Sequence, residues 1–227
     1  MQHEGREQVT QDLPAGRTLR PAVLRLDLDR LIISHAHPDH YQGAGRFGVP
    51  IHALSVVRDQ IVAYGDKEDP SGQAVPLDTF LPMVAIEPGV EVVDGITVVT
   101  EAVRGGEAPD QLIVRLPELG VLVAQALVYH HNHLFLGNND ITGWLAAVDQ
   151  LAADKDYDTV PAGHGAPADR TIYQELGDYL KAAAELLGDD GEAYKKAILA
   201  RYPEYDGAFL IDIANMYLFP PRIQQEP

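Results

Sequence analysis

The chain of 227 residues contains no cysteine. That absence excludes disulfides and thiolate metal ligands together, so any bound metal must be held by His, Asp, Glu or water. Basic residues are also scarce, 17 Lys and Arg against 34 Asp and Glu, for a formal net charge of -17. Nucleic-acid binding relies on Lys and Arg that displace counterions from phosphate, so this balance argues against such a partner. Long apolar runs are missing as well. The longest, "GVLVAQALVY", is far short of the roughly 20 residues that cross a bilayer, which argues against a membrane span. The opening "MQHEGREQVTQDLPAGRTLR" is polar and lacks the apolar centre of a secretion signal, so the expected location is cytoplasmic.

What is present is an ordinary globular composition, with 46% apolar and 22% charged residues. Short Val/Ile/Leu-rich segments at 31–34, 50–53, 90–93, 96–100, 111–116 and 120–128 are separated by Gly, Pro and Asp, and predict strands joined by turns. Asp94-Gly95 between two of them predicts a hairpin. "ALSVVRDQIVAYG" and "ITGWLAAVDQLAA" carry apolar residues at helical spacing. From Arg170 onward, "TIYQELGDYLKAAAELL", "GEAYKKAILARY" and "GAFLIDIANMYLF" predict three helices. "AVLRLDLDRLI" suits a strand by alternation and a short helix by position, and stays open.

The chemistry concentrates in "IISHAHPDHYQGAG". His35 and His37 lie two apart after an apolar strand and project from one side if strand geometry persists. Pro38 ends that geometry, which leaves Asp39 and His40 in the following turn. Neutral imidazoles with one carboxylate suit Zn²⁺, Fe²⁺ or Mn²⁺.

The H-x-H-x-D-H pattern resembles the metallo-β-lactamase superfamily. The similarity extends through "GGEAPDQLIVRLPELGVLVAQALVY" and "VPAGHG", over roughly residues 20 to 180. The resemblance implies an α+β protein, an αββα sandwich with one or two metals at the sheet edges, and in most members hydrolysis by a metal-activated water. Carried onto this chain, it makes His35 and His37 ligands of a first ion, and Asp39 and His40 ligands of a second. His164 matches the last histidine ligand.

Two positions depart from the pattern. Glu107, in "GEAPDQ", stands where the superfamily places the first ion's third histidine. Ala126, in "AQAL", stands where it places a bridging aspartate. Ligand charge is thereby kept by Asp39 and Glu107 while its distribution changes. A carboxylate at the first site favours harder ions, and loss of the bridge favours altered occupancy, one ion rather than two. Further on, "VYHHNHLFLG" resembles a segment of one uncharacterised branch. There His133 matches a position able to serve as acid, base or auxiliary ligand. His130 and His131 read as ordinary loop residues, and Tyr129 as a packed residue or a donor to a developing oxyanion.

Only 34 residues precede His35, fewer than the several strands the superfamily commonly places there, so the N-terminal half is expected to be shortened. Residues 1–169 form the metallo-β-lactamase-like domain in this reading, and 170–227 a C-terminal helical extension packed on it. The apolar faces of that extension, including Phe209, Leu210, Ile213, Met216, Tyr217 and Leu218, either pack on the core or form a homodimer contact. The leading expectation is a metal-dependent hydrolase, zinc first among the ions, acting on a small ester, lactone or thioester, with Asp39 and His133 as catalytic residues. A degenerate metal- or ligand-binding member, and a single-metal oxygenase or lyase, are the rivals.

Overall fold

The computed structural model describes residues 28–68 and 73–220. In chain order its elements begin with β1 (Leu31–Ile32), α1 (Pro38–Tyr41), β2 (Ile51–Ala53) and α2 (Ser55–Tyr64). The middle of the chain is mostly strand: β3 (Lys67–Glu68), β4 (Ala74–Val75), β5 (Val84–Ala85), β6 (Gly89–Val93), β7 (Ile96–Arg104), β8 (Asp110–Leu116), β9 (Val121–Val123) and β10 (Gln125–Tyr129). After α3 (Ile141–Ala153) and β11 (Ala162–His164), the chain closes with α4 (Thr171–Leu186), α5 (Gly191–Arg201) and α6 (Ala208–Leu218). Most of "AVLRLDLDRLI" lies outside the described residues; within the described part, Leu31–Ile32 is strand.

Strands β6 to β9 form an antiparallel sheet in chain order. The β6–β7 turn is the expected one. Val93 pairs with Ile96, leaving a two-residue loop in which Asp94 (φ 50°) and Gly95 (φ 83°) are both left-handed. That is the backbone a two-residue hairpin needs to follow the strand twist. A parallel sheet runs β1–β2–β5, and Leu112 N–H of β8 donates to Ser34 O at 2.8 Å, which ties the segment after β1 to the antiparallel sheet.

Strand β8 shows how the layers are arranged. Successive side chains on a strand face opposite ways, and Leu112 belongs to a cluster with Ile33, Tyr41, Val57, Ile61 and Phe80, whereas Ile113 joins Leu127, Trp144, Leu176 and Tyr179. One side of the strand therefore meets α2, and the other meets α3 and α4. In α4, Ile172, Tyr173, Leu176, Tyr179, Leu180 and Ala183 recur at helical spacing and are all buried. α3 starts on an Asp140 cap, whose carboxylate accepts from Gly143 N at 2.8 Å. Arg170 donates to carbonyls near the end of that helix, including Ala152 O at 2.7 Å. Trp144 Nε1 donates to Leu127 O at 2.9 Å, which fastens α3 to β10.

The expected strand over 120–128 is interrupted. β9 pairs antiparallel with β8, whereas β10 pairs parallel with β11, and Gln125, the first residue of β10, takes a left-handed φ of 51°. The chain breaks there because it changes hydrogen-bonding partners. The C-terminal helices have two faces. Ile211 and Ala214 are buried, and Leu210 and Leu218 pack on the core, but Phe209, Ile213, Met216 and Tyr217 stay exposed.

Candidate metal centre

Strand β1 ends at Ile32, so His35 and His37 do not project from a strand as expected. They lie in the bend that follows, and Pro38 opens a single helical turn carrying Asp39 and His40. Proline suits that first helical position, where its missing N–H has no partner to lose. The compact loop turns all four side chains toward one place. His35 and His40 have ring centroids 4.2 Å apart, and His35 and His37 4.8 Å.

Two triads of ligand atoms result. One is His35, His37 and Glu107, and the other Asp39, His40 and His164, with the atoms of each lying within 4.8 Å of one another. In the second triad His40 Nε2 and His164 Nε2 face each other at 3.3 Å, and Asp39 Oδ2 lies 3.4 Å from the former and 3.8 Å from the latter. His164 arrives at the end of β11, where its neighbour Tyr129 stacks on it at 4.3 Å.

Glu107 is 3% exposed and stands between the triads. Its Oε1 lies 2.6 Å from His37 Nδ1 and 4.0 Å from His35 Nε2, while Oε2 lies 3.7 Å from His164 Nε2. Tyr129 donates to Oε2 at 2.6 Å. Burial and the adjacent Glu107 carboxylate push the Tyr129 phenol well above its ordinary range, so it remains a donor. The loop that aims Glu107 is built by its predecessors. Gly105 (φ 85°) and Gly106 (φ 107°) have left-handed backbones, and a Cβ on either would fall within 2.8 Å of Gly143 or Leu127. The buried Gln111 amide donates to Gly105 O at 3.2 Å and steadies the same loop.

A bound cation fits this arrangement for a specific reason. The ring of His35 is fully buried, and its Nδ1 is engaged by Ser34 Oγ at 2.9 Å, but Nε2 has no hydrogen-bond partner among the described residues. A buried polar atom left without a partner is a substantial penalty unless something else satisfies it. Burial, followed by the neighbouring His40, His37 and His164, holds the His35 pKa well below its ordinary value. Burial also lowers that of His40, against the pull of Asp39 and Glu107. Neutral imidazole is the form that ligates metal.

A family profile for the metallo-β-lactamase superfamily matches residues 13–164. The chain belongs to that superfamily. Its fold is that of the metallo-β-lactamases, as two solved structures illustrate. A metallo-β-lactamase from Pontibacter korlensis superposes with a TM-score of 0.56 at 20% identity, covering 70% of this chain and 72% of its own. DIM-1 metallo-β-lactamase exposed to ceftazidime gives 0.50 at 18% identity, covering 67% of each chain. No curated protein matches the sequence. Members of the metallo-β-lactamase superfamily are generally metal-dependent hydrolases that bind divalent ions, usually zinc.

Within the superfamily pattern, the structure brings His35, His37, Asp39, His40, Glu107 and His164 together. Ala126 is fully buried and offers no ligand atom. His133 shares none of these contacts. Its Nδ1 lies 2.9 Å from the Tyr179 hydroxyl and its ring packs on Tyr179 and Tyr205, on the helical side of the protein. His130 and His131 pair at the surface, where His131 lies 3.6 Å from Glu175. Sequence reasoning missed Ser34, Gln111 and the pairing of Tyr129 with Glu107. Only Ser34, adjacent to the motif, carried any signal there.

Proposed function

We propose that this protein is a metal-dependent hydrolase acting on a small carboxylic ester, lactone or thioester, with zinc as its ion. The supporting observation is the meeting of two ligand triads around one buried carboxylate, with the buried His35 Nε2 left without a hydrogen-bond partner among the described residues. His35, His37 and Glu107 would hold one ion, and Asp39, His40 and His164 a second. Glu107 presents one oxygen to each triad, which lets a single side chain do part of what the bridging aspartate does elsewhere.

When bound, an ion here supplies Lewis-acid polarisation of the substrate carbonyl and acidification of water. The protein's own groups do the rest. Tyr129 aims Glu107 by donating to Oε2. Ser34 orients the His35 ring by engaging Nδ1. Asp39, the most exposed carboxylate of the six ligand-type side chains, is placed beside His40 and His164 to orient a water and accept its proton. His133, held against Tyr179, supports the helical face rather than the reaction.

A second reading rests on Ala126: with the usual bridge gone, a single ion is held and the chemistry is not hydrolytic. Metal analysis of the protein purified without added metal decides between them. Two equivalents of zinc, with chelator-sensitive hydrolysis of a generic ester, support the first reading. One equivalent of iron without ester hydrolysis supports the second.

A further inference from the structure

Beside the metal centre, an aromatic pair leads outward to an uncharged face. The Phe135 ring meets His37 edge-to-face at 5.2 Å, and Tyr217 of α6 meets Phe135 in the same manner at 5.7 Å. Phe135 is held in place from below: a Cβ on Gly137 would come within 2.3 Å of its ring, so the ring lies directly on the chain at that glycine. Buried Leu134 and Leu136 anchor the segment on either side of it.

From Tyr217 the apolar surface continues along α6. Phe209, Met216 and Tyr217 are 63%, 65% and 64% exposed, and Ile213 lies between them. Positions 209, 213, 216 and 217 share one helical face, because side chains three and four apart are neighbours. The helix carries one charged residue, Asp212, and Lys195 neutralises it. Contiguous exposed apolar side chains of this kind mark binding surfaces more often than scattered ones do.

We propose that Phe135, Tyr217 and the exposed face of α6 form the wall that receives the apolar acyl part of the substrate. The substrate class is then an ester or thioester of a medium-length aliphatic or aryl acid. This rests on the proposed hydrolytic reading for the reaction, but not for the binding. Two features favour a substrate chain over a macromolecule as occupant. The surface begins at a ligand of the metal centre, and its first member is a ring clamped in position. The uncharged character of the wall also suits an apolar chain better than an anionic group, in a protein whose net charge is already -17.

The test uses the full zinc-loaded chain. For p-nitrophenyl esters from acetate to octanoate, kcat/KM should rise about twofold to fourfold per added methylene, as expected for partial burial on one wall. In Phe135→Ala and Tyr217→Ala the octanoate-to-acetate ratio should fall at least tenfold, with metal content and circular dichroism unchanged. Calorimetric binding of octanohydroxamic and acetohydroxamic acids reads the wall without turnover. Octanohydroxamate should bind at least tenfold tighter, and that preference should collapse in both variants. Chain preference in binding with no ester hydrolysed would sink the hydrolase reading and keep the wall. Equal affinity for the two hydroxamates overturns the wall. A dimer in light scattering that Met216→Lys separates, with no chain preference, also overturns it and assigns the face to a second copy.

Discussion

Replacing Glu107 by glutamine keeps the size of the side chain and removes the charge that faces both triads. In the metal-free protein two effects oppose each other. The charge-assisted contacts to His37 and Tyr129, both at 2.6 Å, become weaker neutral ones. The desolvation of a buried carboxylate is relieved at the same time. The net change in stability without metal should therefore stay within about 1 kcal/mol. With metal the balance is one-sided. Groups that merely orient metal ligands change affinity by about 10–100-fold, and a carboxylate facing the ions directly should do at least that. At a fixed excess of zinc, a 100-fold loss removes about 2.7 kcal/mol of metal-linked stabilisation. Scanning calorimetry of stripped and zinc-loaded protein, wild type beside Glu107→Gln, measures both quantities. If the variant gains as much stability from zinc as the wild type does, Glu107 is not a ligand and the two-triad account is wrong.

Three further outcomes follow from the geometry. Tyr129→Phe removes a hydrogen bond to a buried carboxylate and should lower stability by about 1.5–3 kcal/mol in denaturant titration; a change under 0.5 kcal/mol would mean that Glu107 finds another donor. Ala126→Asp introduces a buried carboxylate, so the metal-free variant should melt lower, while zinc restores its stability and second-ion retention rises. Equal destabilisation with and without zinc would show that position 126 does not face the ions. Burial lowers the His133 pKa, so the unfolded chain takes up a proton near pH 6.5 before the folded chain does. Its contribution is present above that pH and declines as pH falls toward the folded value, with a slope of up to about 1.4 kcal/mol per pH unit. Stability measured from pH 7 to 5 should decline more steeply in wild type than in His133→Asn, and parallel curves would count against a protected neutral imidazole.

Several elements were legible in the sequence because their cause is local. The helices beginning at Ile141, Thr171, Gly191 and Ala208 match the predicted segments within a residue or two, since helical periodicity needs only neighbours along the chain. The Asp94-Gly95 hairpin was legible because few residue pairs accept two left-handed conformations. The strand over 120–128 was drawn too long. Nothing local to Ala124 and Gln125 reveals that hydrogen bonding passes from β8 to β11, some forty residues away.

The same division runs through the site. By itself the sequence determined which residue types could hold an ion, and that His35, His37, Asp39 and His40 lie near one another, because six consecutive positions cannot stray far apart. It also determined that Ala126 cannot ligate. Tertiary structure alone decided that Glu107 faces both triads, that Tyr129 aims it, and that Phe135 lies between His37 and Tyr217. Those contacts join side chains from 22 to 98 residues apart, and no spacing rule along the chain carries information over such distances. They depend on how the β-strands and α6 pack, which is a property of the whole core.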